Sequence, residues 1–239
     1  MGVLYSMPDL SRQSVHRLPN AKWNRMKTVI SLVLLAGCLS GCSLQPNPYL
    51  DTLQAATVGA ADATKTAAEV EAIPYASAYL TVGDLPRAFV VLAFAEQGQM
   101  KWISADHNLF VMQHGRLVKT VGLDTDLQRL DATERDLLSK PLDIASQGSS
   151  WQTQAEWSND YVSGHELHAV LYRRELEAKV ILGQSRQLLH IEEQVEDRQL
   201  SAHWRNDYWV DPTSGEVIIS RQQMGPKMPT IEFTLLKPL

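Results

Sequence analysis

From Arg87 to the C-terminus the sequence is a succession of short extended segments separated by turn signals, and few folds accommodate that pattern. Ala88–Ala95 (AFVVLAFA) is apolar at both alternating sets of positions, as a central strand covered on two sides would be. The turn Glu96–Gln99, the strand Met100–Ser104, the turn Ala105–Asn108 and the strand Leu109–Gln113 follow. His114-Gly115 makes a tight two-residue connection, because glycine accepts positive φ at no steric cost, and Arg116–Val121 returns as the next strand of a meander. Asp131-Ala132-Thr133-Glu134 has the form of a helix N-terminal capping box, with Leu137 and Leu138 as the buried turn of a short helical interruption. Strands resume at Trp151–Trp157, Glu166–Leu176, Ala178–Leu182, Leu188–Glu196 (also compatible with helix), His203–Val210, Glu216–Arg221 and Ile231–Leu236, with Asp211–Gly215 a turn by composition. Short strands at close spacing predict a single all-β antiparallel domain, sandwich or barrel-like.

Upstream the character changes. Leu50–Ala72 is alanine-rich, which favours helix, although its apolar stripe is thin and a partly disordered stalk is the alternative. Ser43–Pro48 is a short polar tether. Met26–Ser43 (MKTVISLVLLAGCLSGCS), preceded by Lys22 and Arg25, carries Lys27, an apolar run from Val29 to Ala36, then small residues and a cysteine, which is a bacterial secretory signal too short to span a membrane. Leu39-Ser40-Gly41-Cys42 fits the lipoprotein pattern, in which the cysteine thiol takes a diacylglyceryl group and becomes the new N-terminus. Leu35-Ala36-Gly37-Cys38 is the alternative, but it leaves a short apolar region. The expected organisation is a signal with an upstream extension over 1–41, a lipidated cysteine, tether and helix over 42–72, and the antiparallel β domain over 73–239. Acyl chains contribute about 0.8 kcal/mol per buried methylene, and more than one chain gives lasting attachment. The expected location is therefore a membrane surface, and Ser43 in place of aspartate points to the outer membrane, facing the periplasm.

Charge narrows the function further. Removing the residues before Cys42, with Arg12, Arg17, Lys22, Arg25, Lys27 and Asp9, leaves 17 basic against 26 acidic residues, a net charge of −9. A simple electrostatic grip on nucleic acid or another polyanion is unfavourable on such a surface, while a short-range polar-aromatic contact with sugar remains open. Both cysteines, Cys38 and Cys42, lie in the signal region. The mature domain therefore has no disulfide, cysteine nucleophile or cysteine-based metal site, and no cofactor is expected.

Four blocks carry a family resemblance: PYASAYL (Pro74–Leu80), FVVLAFAEQGQMKWIS (Phe89–Ser104), QHGRLVKTVGL (Gln113–Leu123) and HWRNDYWVDPTSGEVIISRQ (His203–Gln222). The chain resembles the group 4 capsule and exopolysaccharide lipoproteins of the GfcB/YjbF type from about Ile73 onward, together with the signal. The resemblance implies an outer-membrane lipoprotein of mostly β fold, encoded beside proteins of polysaccharide secretion that include an outer-membrane β-barrel and a soluble periplasmic protein, which are the expected partners. It carries no catalytic residue set.

The residues themselves offer little reactive chemistry. His165-Glu166-Leu167-His168 lacks the spacing of a zinc protease, and on a strand its histidines point to opposite faces. His107 and His114 sit in turns. Asp124, Asp126, Asp131, Glu134 and Asp136 crowd one segment, where paired carboxylates could serve glycoside hydrolysis, but helix capping and solvation are the plainer reading. Aromatics are the stronger lead: Trp151 and Trp157 share one strand face, Trp204 and Tyr208 share another, and Tyr208 and Trp209 straddle the sheet. An exposed row of such rings would stack on sugar, with Arg205 and Asn206 donating hydrogen bonds; the alternative, favoured because there are only four phenylalanines, is that the rings fill the core. Arg116 and Lys119, flanking the hairpin, are expected on a solvated face. Three functions follow: a non-enzymatic accessory factor for capsule or exopolysaccharide production or export, a periplasmic lipid or glycolipid carrier with a cavity lined by Phe89–Phe94, and, least favoured, a polysaccharide-modifying enzyme.

Overall fold

The computed structural model describes residues 61–132, 135–158, 164–226 and 228–239, so the signal, Cys38, Cys42 and the first part of the expected helix lie outside the described residues. Among those described are twelve strands: β1 (Ser77–Val82), β2 (Ala88–Glu96), β3 (Gln99–Ile103), β4 (Leu109–Gln113), β5 (Arg116–Val121), β6 (Leu127–Leu130), β7 (Ser149–Trp157), β8 (His165–Ile181), β9 (Gln184–Asp197), β10 (Ala202–Val210), β11 (Val217–Gln222) and β12 (Ile231–Lys237). They form one sheet in the order β5-β4-β3-β2-β1-β12-β11-β10-β9-β8-β7-β6. Consecutive strands pair antiparallel except β5 with β6, and β1 pairs with β12, so the meander bends into a nearly closed barrel.

The gap lies between β5 and β6. Side chains hold it shut: the Leu127 amide donates to Thr120 Oγ1 at 2.9 Å, and the Thr120 hydroxyl donates to Asp126 Oδ1 at 2.8 Å. Asp126 also accepts from the amides of Gly122 and Leu123.

Because the strands run alternately up and down, their connections sort into two ends. One, here the lower end, carries three two-residue hairpins of one kind: Gln97-Gly98, His114-Gly115 and Leu182-Gly183, each with both φ values between 49° and 79°. That is the backbone of a turn whose twist matches the flanking strands. The β8–β9 hairpin runs beyond the ends of β7 and β10 as a two-stranded ribbon, since β7 pairs only as far as Leu171 and β10 only from Leu189. Trp209 of β10 clamps this ribbon. Its ring stacks on His190 at 5.1 Å, lies under Lys179 Nζ at 4.0 Å, and its indole N–H donates to Glu177.

Several expectations change in detail. The described residues 61–66 are not helical, and α1 spans only Ala67–Ala72, started by a capping box between Thr66 and Glu69. A Thr66 hydroxyl that satisfies the Glu69 amide fixes the helix start there, whatever the alanine content upstream. β1 was not anticipated, nor was β6. The two segments expected at 166–176 and 178–182 are one continuous strand, and 188–196 is strand rather than helix. β2 is not covered on both sides: its second half is exposed, with Phe94 67% accessible. The helical interruption is two 3-10 turns, Leu137–Ser139 and Pro141–Asp143, and the first is capped by Asp136. Leu138 is buried there. The inward rows of the strands, with Trp102, Phe110, Leu167, Ile191 and Phe233 among them, form one continuous core.

Candidate binding groove and the ion cluster behind it

Inside the barrel, the inward positions of neighbouring strands place polar groups opposite one another. Glu193 of β9 sits between Ile191 and Val195 on the inner face and pairs directly with Asn206 of β10. Arg116, first residue of β5, reaches in from the opposite wall and is only 1% exposed. Its Nε and Nη2 donate to the two oxygens of Asp136 at 2.7 and 3.1 Å, and its Nη1 donates to Glu193 Oε2 at 2.8 Å and to the Tyr208 hydroxyl at 3.1 Å. Tyr208 and Asn206 donate to the same Glu193 oxygen, while the Trp151 indole N–H takes the other at 3.1 Å. The guanidinium also lies 4.5 Å from the Trp151 ring centre.

Burial alone would lift the Glu193 carboxyl, but Arg116 and the donated hydrogen bonds outweigh it and hold Glu193 below the usual carboxylate range. Burial raises the Tyr208 hydroxyl well above the ordinary tyrosine value, the nearby carboxylates adding to it against Arg116. The cluster is a structural tie across the barrel. Asp136 brings in the segment after β6, Glu193 and Tyr208 bring in β9 and β10, and Arg116 brings in β5.

On the outer face of the same strands lies a groove of about 1100 Å³. Register fixes its composition. One outward row across β7, β8, β9 and β10 is Gln152, His168, Glu196 and His203; the next is Ser150, Val170, Gln194 and Arg205. Between these rows the chain turns Trp151, Ala169, Val195 and Trp204 inward. Gln152 Nε2 and His168 Nδ1 are 3.1 Å apart, and His168 Nε2 lies 3.5 Å from Glu166. Arg205, 56% exposed by side chain, lies 3.2 Å from Asp207. Arg135, from the segment after β6, completes one side.

A second hollow, of about 520 Å³, opens at the lower end of the barrel. It is lined mainly by apolar side chains, including Met100, Trp102, Met112, Leu138, Phe233 and Leu235.

The residues singled out from sequence divide clearly. Trp151, Trp157, Trp204 and Tyr208 are buried, at 7, 7, 8 and 0% exposure, so they fill the interior and present no ring face to a sugar. The Trp157 indole N–H donates to the Met224 carbonyl, and Trp209 is half-buried under the ribbon. Of that set, only Arg205 reaches solvent broadly; Asn206, expected to donate outward, points inward to Glu193. Arg116 is the reverse case: expected on a solvated face, it is the most buried arginine or lysine among the described residues, because its strand starts with an inward position. Lys119 is exposed as expected. His165 points inward, with Nδ1 3.1 Å from Asp197, and His168 points outward, as strand alternation requires. Among the acidic residues, Asp126 holds the β5–β6 turn and Asp136 the arginine; Glu134 lies outside the described residues. The ion cluster escaped the sequence reading, although one signal was present: Glu193 and Asn206 occupy positions where alternation demands apolar side chains.

A twelve-stranded antiparallel meander, closed by its first and last strands and tied internally by one arginine, defines a barrel-like β domain. The chain belongs to the group 4 capsule polysaccharide lipoprotein family of GfcB and YjbF, whose family model matches residues 50–236. It is 33% identical to the lipoprotein GfcB of Escherichia coli K12 over 208 residues, which cover 87% of this chain and 97% of that protein. It is 31% identical to the lipoprotein YjbF of the same organism, also over 208 residues, covering 87% of this chain and 96% of that one. The crystal structure of the hypothetical lipoprotein YmcC from E. coli K12 superimposes with a TM-score of 0.68 at 32% identity, covering 82% of this chain and 98% of that one.

Proposed function

We propose that this protein is a lipid-anchored, non-enzymatic accessory factor in the production or export of capsule-type exopolysaccharide, held by acylated Cys42 at the periplasmic face of the outer membrane. The observation that carries this reading is membership of the capsule lipoprotein family over residues 50–236, coupled to a lipoprotein-type signal ending at Cys42. The inside of the barrel supports a non-catalytic role. Glu193 and Asp136, both buried, are each held in an ion pair with Arg116 rather than turned toward solvent. Confinement at the membrane raises effective concentration, so weak contacts with a secretion β-barrel, a periplasmic partner and emerging polymer suffice. Deleting the gene is expected to lower surface polymer while precursor synthesis continues, and Cys42→Ser to reproduce the loss by releasing the domain from the membrane. Normal surface polymer in the deletion strain would refute the role.

The apolar hollow at the lower end favours a second reading, a carrier of lipid or glycolipid. Its lining is not the Phe89–Phe94 segment expected from sequence but side chains of β3, β4, β11 and β12 with Leu138. A native mass spectrum of the purified protein should then show a lipid retained on the polypeptide beyond its own acyl groups, and a spectrum without one excludes this reading.

A further inference from the structure

The net charge of −9 beyond Cys42 describes the chain, not the groove. Three of the charged side chains that line the groove are arginines, Arg135, Arg198 and Arg205, against a single carboxylate, Glu196. His168 and His203 add two imidazoles. Arg198 and Arg205 each form one carboxylate ion pair, with Glu196 and Asp207, both at 3.2 Å, Arg205 also acts on Glu192, and their side chains are 67% and 56% exposed. A guanidinium has five N–H donors, so one such ion pair leaves most of them free for a ligand. Two further carboxylates border the groove, Glu192, which accepts from Gln194 Nε2 at 2.9 Å, and Glu166, 3.5 Å from His168 Nε2, so what the groove offers a ligand is exposed guanidinium N–H donors beside paired carboxylates rather than a net positive field.

We propose that the outer groove across β7–β10 binds a short segment of an anionic glycan, its carboxylates meeting Arg198 and Arg205 and its hydroxyls meeting the side-chain amides of Gln152 and Gln194. This deepens the polysaccharide role proposed above, and rests on it for the setting in which polymer is met. Planar guanidinium groups match carboxylate oxygens in pairs, and amide side chains both donate and accept, as adjacent sugar hydroxyls require. Four strands at ~4.8 Å spacing make a floor about 14 Å across, which suits several sugar units better than one. The floor is rigid, because Trp151 is fixed from behind by Glu193. The same inward rotation of Trp151 and Trp204 argues against nucleic acid: with both rings buried, the groove offers no indole platform on which bases would stack.

The test is a titration of the full lipidated chain in detergent with hexagalacturonate, maltohexaose and a hexameric deoxythymidine oligonucleotide. Hexagalacturonate should bind and weaken about tenfold between low and high salt, as screened charge contacts do. Maltohexaose and the oligonucleotide should bind at least about tenfold more weakly. Arg205→Gln and Arg198→Gln should each weaken hexagalacturonate several-fold with the thermal midpoint unchanged, while Lys119→Gln, outside the groove, should leave binding intact. Absence of hexagalacturonate binding, equal binding of the oligonucleotide, or indifference to both arginine substitutions overturns the assignment. The two proposals separate cleanly. If the deletion strain loses surface polymer but hexagalacturonate does not bind, the accessory role stands and the groove assignment falls. If hexagalacturonate binds as described but the deletion strain is normal, the reverse holds.

Discussion

Arg116 is a single cation shared by two buried carboxylates, and what each substitution leaves behind decides its cost. Arg116→Met removes the positive partner of both Asp136 and Glu193, so at least one must take up a proton or remain an uncompensated charge. Breaking buried pairs of this kind costs about 3–5 kcal/mol, a large part of the total stability of a small domain. Glu193→Gln is milder, because the amide still accepts from Asn206 and Arg116 keeps Asp136. It also reports on pH. The Glu193 carboxyl is held below its ordinary range in the fold, so its contribution is present above the unfolded carboxylate value near ~4.3 and is lost as pH falls through the folded value. Urea midpoints measured from pH 7 down to pH 3 should fall for the parent protein on acidification, and should fall less steeply for Glu193→Gln. Identical slopes would show that Glu193 titrates alike in both states.

Hairpins are where local sequence and global fold agree best, and they account for most of what was legible. Leu109–Gln113, His114-Gly115 and Arg116–Val121 were placed residue for residue, because a two-residue turn with glycine second leaves little freedom in register. β1 and the single long β8 were not legible: β1 lies between β2 and β12, and its β12 partner comes more than 140 residues later, and the bulge between Arg173 and Leu176 breaks the alternation that would have joined the two halves of β8. Gly115 and Gly98 separate the two things a turn glycine does. Both have positive φ, +79° and +76°, so alanine at either meets the left-handed penalty of about 1–2 kcal/mol. A Cβ on Gly98 meets nothing within 4 Å, whereas on Gly115 it would sit 2.3 Å from Val217 Cβ. Gly115→Ala should therefore lower the urea midpoint clearly more than Gly98→Ala, by the further cost of moving β5 or β11. Equal losses would mean that this contact relaxes without effect.

For the molecule as a whole, the consequence of an almost closed barrel is one weak line. Eleven strand junctions, including β1 with β12, are ladders of backbone hydrogen bonds, while β5 and β6 meet through the Thr120 and Asp126 side chains. That seam was invisible in sequence, because neither Thr120 nor Asp126 differs in type from ordinary turn residues; only closure of the sheet gives them their task. The same holds for the aromatic rings, which alternation placed on common faces without saying which face was inside. Closure makes the inner face the one that must be filled, and four of the rings went there. Opening of the barrel should begin at the seam, since side-chain contacts there replace a cooperative ladder and local opening follows the least protected boundary. Thr120→Val keeps the shape of the buried side chain but strips the acceptor from the Leu127 amide, an unsatisfied buried donor costing about 1–3 kcal/mol. In native-state hydrogen exchange this substitution should speed exchange first in β5 and β6, with β9 and β10 following only at the global rate. Uniform acceleration across all strands would show instead that the seam opens only with the whole barrel, and that the Arg116 cluster, which ties β5 to β9 and β10 from inside, holds it as firmly as a ladder would.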